Sequence, residues 1–383
     1  MAVLSVFGVV NTAQMESAAL EVMRSGRIAS GPHVAQFEQG LSSLLNQQHV
    51  VATSDMTSAI NLALYMIGVG EGDEVLTSSF SCMSTNSPIA LLKATPVWVD
   101  FAPGSVSMDP TAFERSITPR TKAAILYHVA GYPGPAKKIA DICRQHNITL
   151  IEDCNNALLA TLHGVTVGSF GDYAVYSFYP NRQINTFEGG ALVCPDPESA
   201  ERARRLRRFG VNYSTFRTSS GEINPDSDVP EVGWACSLSN LSAAVGMAQF
   251  DSLESRVEQT RRNALRLSEG LGAVCELSVI QPLQGSDPVY WGFLIQTKHK
   301  LRLILALKER GIQASGLHQS NDRYTCFTAS VNPPEDLKNT VLLQQSVLAI
   351  PCGWWLSDGD ITSIIECVKS ATSQVTSIAD GSE

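Results

Sequence analysis

At 383 residues, 44% of them hydrophobic, the chain is long enough to bury a large core, and its length sets an expectation of two domains. A net charge of −9 argues against a nucleic-acid partner, because neutralising phosphates needs an excess of lysine and arginine. The nine cysteines are odd in number and include no C-x-x-C pair, which fits reduced, unpaired thiols and leaves no metal site to expect.

The opening MAVLSVFGVV is apolar but lacks a basic leader and is too short to cross a bilayer. It is expected to pack as an extension of a soluble, cytoplasmic protein with no membrane partner. HVVATS (49–54) reads as a strand and TSAINLALYMIG (57–68) as a helix. DEVLTSSF, TPVWVDF, KAAILYHVAG, ITLIEDC, DYAVYSFY and GGALVCP follow as strands, with helical stretches such as AKKIADICRQHN (136–147) between several of them. Continuous apolar strands alternating with helices predict an α/β fold with a mostly parallel sheet covered on both faces, its ligand beyond the carboxyl ends of the strands. Arg202, Arg204, Arg205, Arg207 and Arg208 lie on a helix-like stretch beginning at Glu201, and are read as a solvated helix face in preference to a phosphate or nucleotide contact. Residues 215–232 are polar and aperiodic, a loop long enough to be functional or mobile. Residues 238–271 predict one long helical region linking a large domain (1–250) to a smaller α/β domain (251–383), in which WGFLIQT, LRLILALKERG and DITSIIECVKS form a strand and two helices. The polar tail after Ser370 is expected to fray.

Three places carry chemistry. Glu152 and Asp153 end a strand at the ligand edge, where a carboxylate holds a pyridinium nitrogen protonated or, equally, caps a following helix. SFYPNRQINTFEGG (177–190) turns between two strands. SDMTSA (54–59) precedes a helix, so its N–H groups and the hydroxyls of Thr57 and Ser58 suit a phosphate or are simply good caps. Taken together the three compose a pyridoxal-phosphate (PLP) site. His128 at a strand end and His318 in the smaller domain are further pocket candidates, each weighed against a structural, hydrogen-bonded role.

The order of these blocks, with GPHVAQFE (31–38), GVGEGDEVL (68–76), ATPVWVDF (94–101), ITPRTKAAILYHVAGYPG (117–134), VGSFGDYAVYSF (167–178) and LSNLSAAVGMAQ (238–249), resembles the DegT/StrS-type nucleotide-sugar aminotransferases. The resemblance implies the fold-type-I aminotransferase architecture, a homodimer, a small-molecule substrate such as a nucleotide sugar or another anionic metabolite, and PLP or its amine form PMP as cofactor. It implies that Asp153 meets the pyridine nitrogen, that Ser177 and the Met56-Thr57-Ser58 turn meet the phosphate, and that Cys82 and Asn156 flank the ring. Tyr179, Arg182 and His318 are then substrate contacts, and Arg182, Asp153 and His128 the catalytic candidates.

Several positions depart from the family pattern. Asp55 and Met56 replace the Ser/Asn-Gly of the phosphate turn, Asn156 replaces a glutamine, Phe187 replaces a glycine, and Gly233-Trp234-Ala235-Cys236-Ser237 lacks the asparagine and arginine that a neighbouring subunit donates. In Tyr179-Pro180-Asn181-Arg182-Gln183-Ile184 the Schiff-base lysine has become Arg182, and no lysine occurs between Lys138 and Lys298. A guanidinium is protonated and delocalised, and neither attacks a carbonyl nor shuttles a proton well. Ordinary transamination is therefore not expected. A lysine-independent enzyme of sugar or secondary metabolism with non-covalent PLP or PMP, a PLP-independent enzyme with Arg182 as anion anchor, and a non-catalytic partner or sensor remain as readings.

Overall fold

The computed structural model describes residues 3–327 and 336–380, the last three as backbone only. Along the chain, β1 is Val50–Thr53, β2 Glu74–Thr77, β3 Thr95–Trp98, β4 Thr121–Tyr127 and β5 Thr149–Asp153. Two short strands follow, β6 Thr161–Leu162 and β7 Val165–Thr166, then β8 Tyr173–Ser177 and β9 Gly190–Val193. The second half holds β10 Ser278–Val279, β11 Ser286–Asp287, β12 Phe293–Gln296 and β13 Val347–Ile350.

The main sheet has seven strands in the order β1-β9-β8-β5-β4-β2-β3. Pairs β3–β2–β4–β5–β8 are parallel, and β9 is antiparallel to both β8 and β1. These strands are buried almost throughout because helices cover both faces, which is why they read as unbroken apolar runs instead of alternating ones. One core lies on each face, around Phe37, Leu126 and Phe178 on one and Ile60, Ile125 and Val175 on the other. The sheet matches the expected mostly parallel α/β architecture. A second sheet, β10-β12-β13, has its own core with Leu267, Leu303 and Ile364.

The long helical region expected over 238–271 is two helices, Asn240–Met247 and Phe250–Leu271. They break where Gln249 turns inward, donating to the carbonyls of Asn185 (2.6 Å) and Val245 (2.9 Å) and accepting from Asn185 N–H. The second helix buries Leu253 and Val257 in the main core and Ala264, Leu267 and Leu271 in the smaller one. The tail after Ser370 is likewise corrected: helix Asp358–Asp380 runs on, because Ala371 and Val375 extend the buried stripe of Ile361, Ile364 and Val368. The N-terminal segment packs as expected, with Val6 and Val10 buried and Leu4 bridged to Ile312. Residues 215–232 hold no regular element after the short helix Tyr213–Phe216. Among the described residues the cysteines are free and no helix is long and apolar enough to cross a membrane.

Two polar ties fix the smaller sheet's surroundings against the larger sheet. Asp100, after β3, accepts from Asn339 N–H (3.0 Å) and Nδ2 (2.9 Å) and from Thr340 N–H and Oγ1 (both 2.7 Å). Helix Lys338–Ser346 has no side-chain cap from its own N-cap residue, Leu337, so Asp100 caps it from far along the chain. Asn321 forms the other tie, accepting from Asn86 Nδ2 (2.9 Å) and donating to the carbonyls of Ser79 (2.8 Å) and Ser81 (3.0 Å). Asp100→Ala leaves those helix donors without an acceptor and is expected to destabilise the fold by about 1–3 kcal/mol. Hydrogen exchange would locate the loss, with the fastest gain in exchange at the first turn of helix 338–346.

Candidate functional site

The carboxyl ends of β4, β5 and β8 bring together the groups at the ligand edge. Tyr127 and Asp153 are register partners at the ends of β4 and β5, and Ser177 ends β8 beside Gly190 of β9. Strand alternation sends the paired acids Glu152 and Asp153 in opposite directions. Glu152 turns away from the edge and is fully enclosed, accepting from the N–H groups of Gly168 (2.9 Å), Phe170 (2.7 Å) and Gly171 (2.7 Å). His128 Nε2 lies 3.1 Å from its carboxylate, and His128 Nδ1 accepts from Gly134 N–H at 2.9 Å. The catalytic expectation for His128 therefore gives way to a structural role, because both ring nitrogens are taken and the ring is buried. His128, Glu152 and Cys154 bring ligand-type atoms within 4.8 Å of one another, yet those carboxylate oxygens are already filled by their donors.

Asp153 faces the ligand edge. Its carboxylate accepts from Thr85 Oγ1 (2.7 Å) and from Asn155 N–H (3.1 Å) and Nδ2 (2.9 Å). Burial pushes its carboxyl up from the usual range, opposed by these hydrogen bonds and by His128. Tyr127, which sequence reasoning passed over for its neighbour His128, is the hub of the cluster. Its hydroxyl receives Asn156 Nδ2 (3.0 Å) and Ala130 N–H (3.3 Å) and lies 3.2 Å from His318 Nε2. Burial and the Asp153 charge hold the phenol well above its ordinary value, so it stays protonated. The parity of β4 was the available signal: the residue in register with Asp153 faces as Asp153 does.

Arg182 lies within reach of the charges of Tyr127, Cys82, Asp153 and Tyr179. Its guanidinium sits 4.9 Å from the Trp291 ring, which stacks on Phe7 at 3.9 Å and donates to the Asn181 carbonyl at 2.8 Å. One terminal nitrogen reaches Asn181 Oδ1 at 2.5 Å, while Nε is buried with no partner. Burial pulls its pKa down and the surrounding groups pull it back. Asn156 Oδ1 is also buried without a partner. Orphaned buried groups are rare in a finished core and mark a place for a ligand or water. His318 is lowered to about 4 by burial and by Arg182, so near neutrality its ring is uncharged. Trp291 and Phe7 lacked any sequence signal.

The phosphate turn is differently filled. Helix Met56–Ile67 begins at Asp55, whose own carboxylate accepts from Ser58 N–H (2.8 Å), Ser58 Oγ (2.7 Å) and Ser54 Oγ (2.7 Å). Met56 points into the core, and Thr57 and Ser58 are half-buried beside Trp234 and Cys236. Gly190 is required here, since a Cβ on it would come within 2.6 Å of the Asp55 and Met56 backbone. Glu188 is close enough to Asp55 that burial and that second carboxylate push its pKa up. Phe187 has a left-handed backbone (φ +68°), which strains a residue with a side chain. Cys82 is exposed at the N-cap position of helix Met83–Leu91 without a capping hydrogen bond from its side chain, Ser177 is half-buried at the end of β8, and Tyr179 is exposed at the rim.

Against this geometry PLP fits at one end only. Asp153 suits a pyridine nitrogen. At the helix N-terminus a phosphate would meet the carboxylate of Asp55, with Glu188 behind it, and like charges repel there. None of Tyr127, Cys82, Asp153, Tyr179 or Trp291 around Arg182 offers an amine. The residues do not fit a covalently held PLP. They do suit a small anion, with the Arg182 fork and the Tyr127 hydroxyl beside it, while Asn156 Oδ1 awaits a donor.

Residues 10–369 match the profile of the DegT/DnrJ/EryC1/StrS aminotransferase family. The aminotransferase TlmJ from Streptoalloteichus hindustanus is 28% identical, over 97% of this chain and 99% of its own, with a TM-score of 0.88. The sugar aminotransferase CalS13 from Micromonospora echinospora is 25% identical, over 96% of this chain and 99% of its own, with a TM-score of 0.90. A PLP form of Spr1654 from Streptococcus pneumoniae shares the fold at 21% identity, over 96% of this chain and 98% of its own, with a TM-score of 0.88.

The His318 environment makes a measurable prediction. NMR titration should place its pKa near 4, and Arg182→Gln should raise it by removing a repelling cation. A histidine depressed below its unfolded value refuses a proton that the unfolded chain accepts. Stability should therefore fall as pH drops from about 6.5 towards 4, less steeply in the variant.

Proposed function

The chain belongs to the DegT/DnrJ/EryC1/StrS aminotransferase family, and from that premise we propose that it binds a small anionic metabolite of sugar or secondary-metabolite biosynthesis in the family cleft, without an internal aldimine. The observation that carries this reading is the pairing of Arg182, whose Nε is buried and unpartnered, with an Asp55 carboxylate closing the helix end that would take a phosphate. Arg182 acts as a fixed cation whose planar fork suits a carboxylate or phosphate of the substrate. Tyr127 supplies a hydroxyl held by Asn156, and His318 an uncharged imidazole that donates or accepts without adding charge. Trp291 and Phe7 wall the guanidinium on its apolar side. CalS13 is named a sugar aminotransferase, and an anionic sugar such as a nucleotide sugar meets these requirements; a homodimer is the assembly we propose with it, by resemblance to the family.

A second reading, PLP or PMP held without a covalent bond, is favoured by one observation. Asp153 remains buried and braced by Thr85 and Asn155 at the position suited to a pyridine nitrogen.

Both readings predict no lysine-linked cofactor. After incubation with PLP and reduction with borohydride, peptide mass mapping should find no pyridoxyl group in the cleft. Arg182→Lys alone should not recover a stable adduct, because the Asp55 carboxylate still opposes the phosphate. A stoichiometric adduct on the unmodified chain would sink the proposal.

A further inference from the structure

Tyr127 and His318 meet at the cleft from distant parts of the chain, and the hydrogen bond between them has a direction set by their other partners. A phenol oxygen has one proton to give and room for about two incoming donors. Both places on the Tyr127 oxygen are filled, by Asn156 Nδ2 at 3.0 Å and the Ala130 N–H at 3.3 Å. The Ala130 donor is backbone and cannot turn round. Burial and the Asp153 charge keep the phenol protonated. Among the described residues the one contact left to receive its proton is His318 Nε2, 3.2 Å away.

A donor arriving at Nε2 obliges the uncharged imidazole to carry its own proton on Nδ1. Near neutrality the ring is uncharged, because burial and Arg182 hold its pKa at about 4. Nδ1 makes no hydrogen bond among the described residues, and His318 is half-buried, its ring fixed edge to face against Phe80 at 5.5 Å. The direction depends on the Asn156 amide presenting its nitrogen to Tyr127, as it does here. An amide turned about would take the phenol proton on its oxygen, reverse the bond to His318 and move the ring proton to Nε2.

We propose that Tyr127 is a positioning residue that locks His318 in its Nδ1–H form, so that His318 meets a ligand only as a hydrogen-bond donor. The lock stands on the hydrogen bonds alone, whereas the donor role towards a ligand rests on the anion reading of the cleft. Arg182 likewise has donors and no acceptor. Together the two side chains select a group rich in acceptor oxygens and turn away an ammonium or an amide N–H. The Tyr127 hydroxyl acts on the ligand through His318, since its own proton is committed there.

Long-range proton–nitrogen correlation NMR of the full chain, with isotope-labelled histidine at neutral pH, reads the tautomer without any ligand. The expected spectrum has Nε2 at the unprotonated, pyridine-like position and Nδ1 at the protonated, pyrrole-like one. Tyr127→Phe keeps the ring and removes the donor, so the two tautomers should mix, whereas a merely structural Tyr127 would leave their ratio unchanged. Inorganic sulfate, an oxyanion with acceptors only, should shift the Nδ1–H signal on titration. Its affinity should be about two- to five-fold lower in Tyr127→Phe, by the fraction of rings lost to the other tautomer. Nε2–H in the unaltered chain, or an unchanged tautomer ratio in Tyr127→Phe, overturns the lock, and the first of these needs no variant to fold. The expected tautomer with no response to sulfate at His318 overturns the anion reading and the donor role with it, so the two failures are told apart.

Discussion

The site depends on one buried carboxylate that never touches a ligand. Glu152 collects the N–H groups of Gly168, Phe170 and Gly171 and leans on the His128 ring, so the turn entering β8 and the end of β4 are pinned to β5. An uncompensated charge in that position would cost several kcal/mol, and here its oxygens are filled by donors of two segments, the 168–171 turn and His128. With Glu152 spent inward, alternation obliges Asp153 and its register partner Tyr127 to face the ligand edge. The same strand end thus carries a strut and a residue facing the cleft, and the helix cap weighed as the alternative for the acidic pair is absent, since β5 is followed by turns and β6.

Around that fixed frame the charges are redistributed relative to a PLP site. The helix end that suits a phosphate is closed by Asp55 and backed by Glu188, while the position suited to an amine carries the Arg182 cation. A phosphate at one pole and an aldehyde at the other are both mismatched. An anion at the Arg182 pole is not. The buried, unpartnered Nε of Arg182 is a donor and agrees with the direction of the charge change, whereas Asn156 Oδ1 is an acceptor and calls for a donor.

Much of the sheet was legible because β4 and β5 are continuous apolar runs, and such runs mean strands covered on both faces. Arg182, where the resemblance expects a lysine, stands out in the sequence because it sits in an ordered motif. What escaped depends on distant partners. The break at Gln249 is made by Asn185, sixty-four residues away along the chain. Strands β6, β7 and β11 are two residues each and exist only through pairing, so they carry no pattern of their own. His128 was favoured over Tyr127 because imidazole chemistry is conspicuous, although the parity of the strand pointed the other way. The cap on helix Lys338–Ser346 comes from Asp100, and no local signature announces it. Of the arginine cluster, Arg202, Arg204 and Arg205 lie on the expected helix and Arg207 and Arg208 just past its end, and the cluster's division was not legible, since Glu38 and Glu231, which claim Arg204, Arg207 and Arg202, are remote in sequence.

The central claim is that this cleft has exchanged a phosphate-and-amine site for an anion site built on Arg182. Equilibrium dialysis of the purified chain against PLP and against PMP tests it most directly, because it detects the cofactor whether or not a covalent bond forms. The account predicts no stoichiometric retention of PLP at concentrations that saturate ordinary PLP enzymes, with any PMP uptake weak and relieved of its penalty by Asp55→Asn. Tight, one-to-one retention of PLP by the unaltered chain would contradict it, and would mean that the Asp55 carboxylate yields the helix end to a phosphate after all.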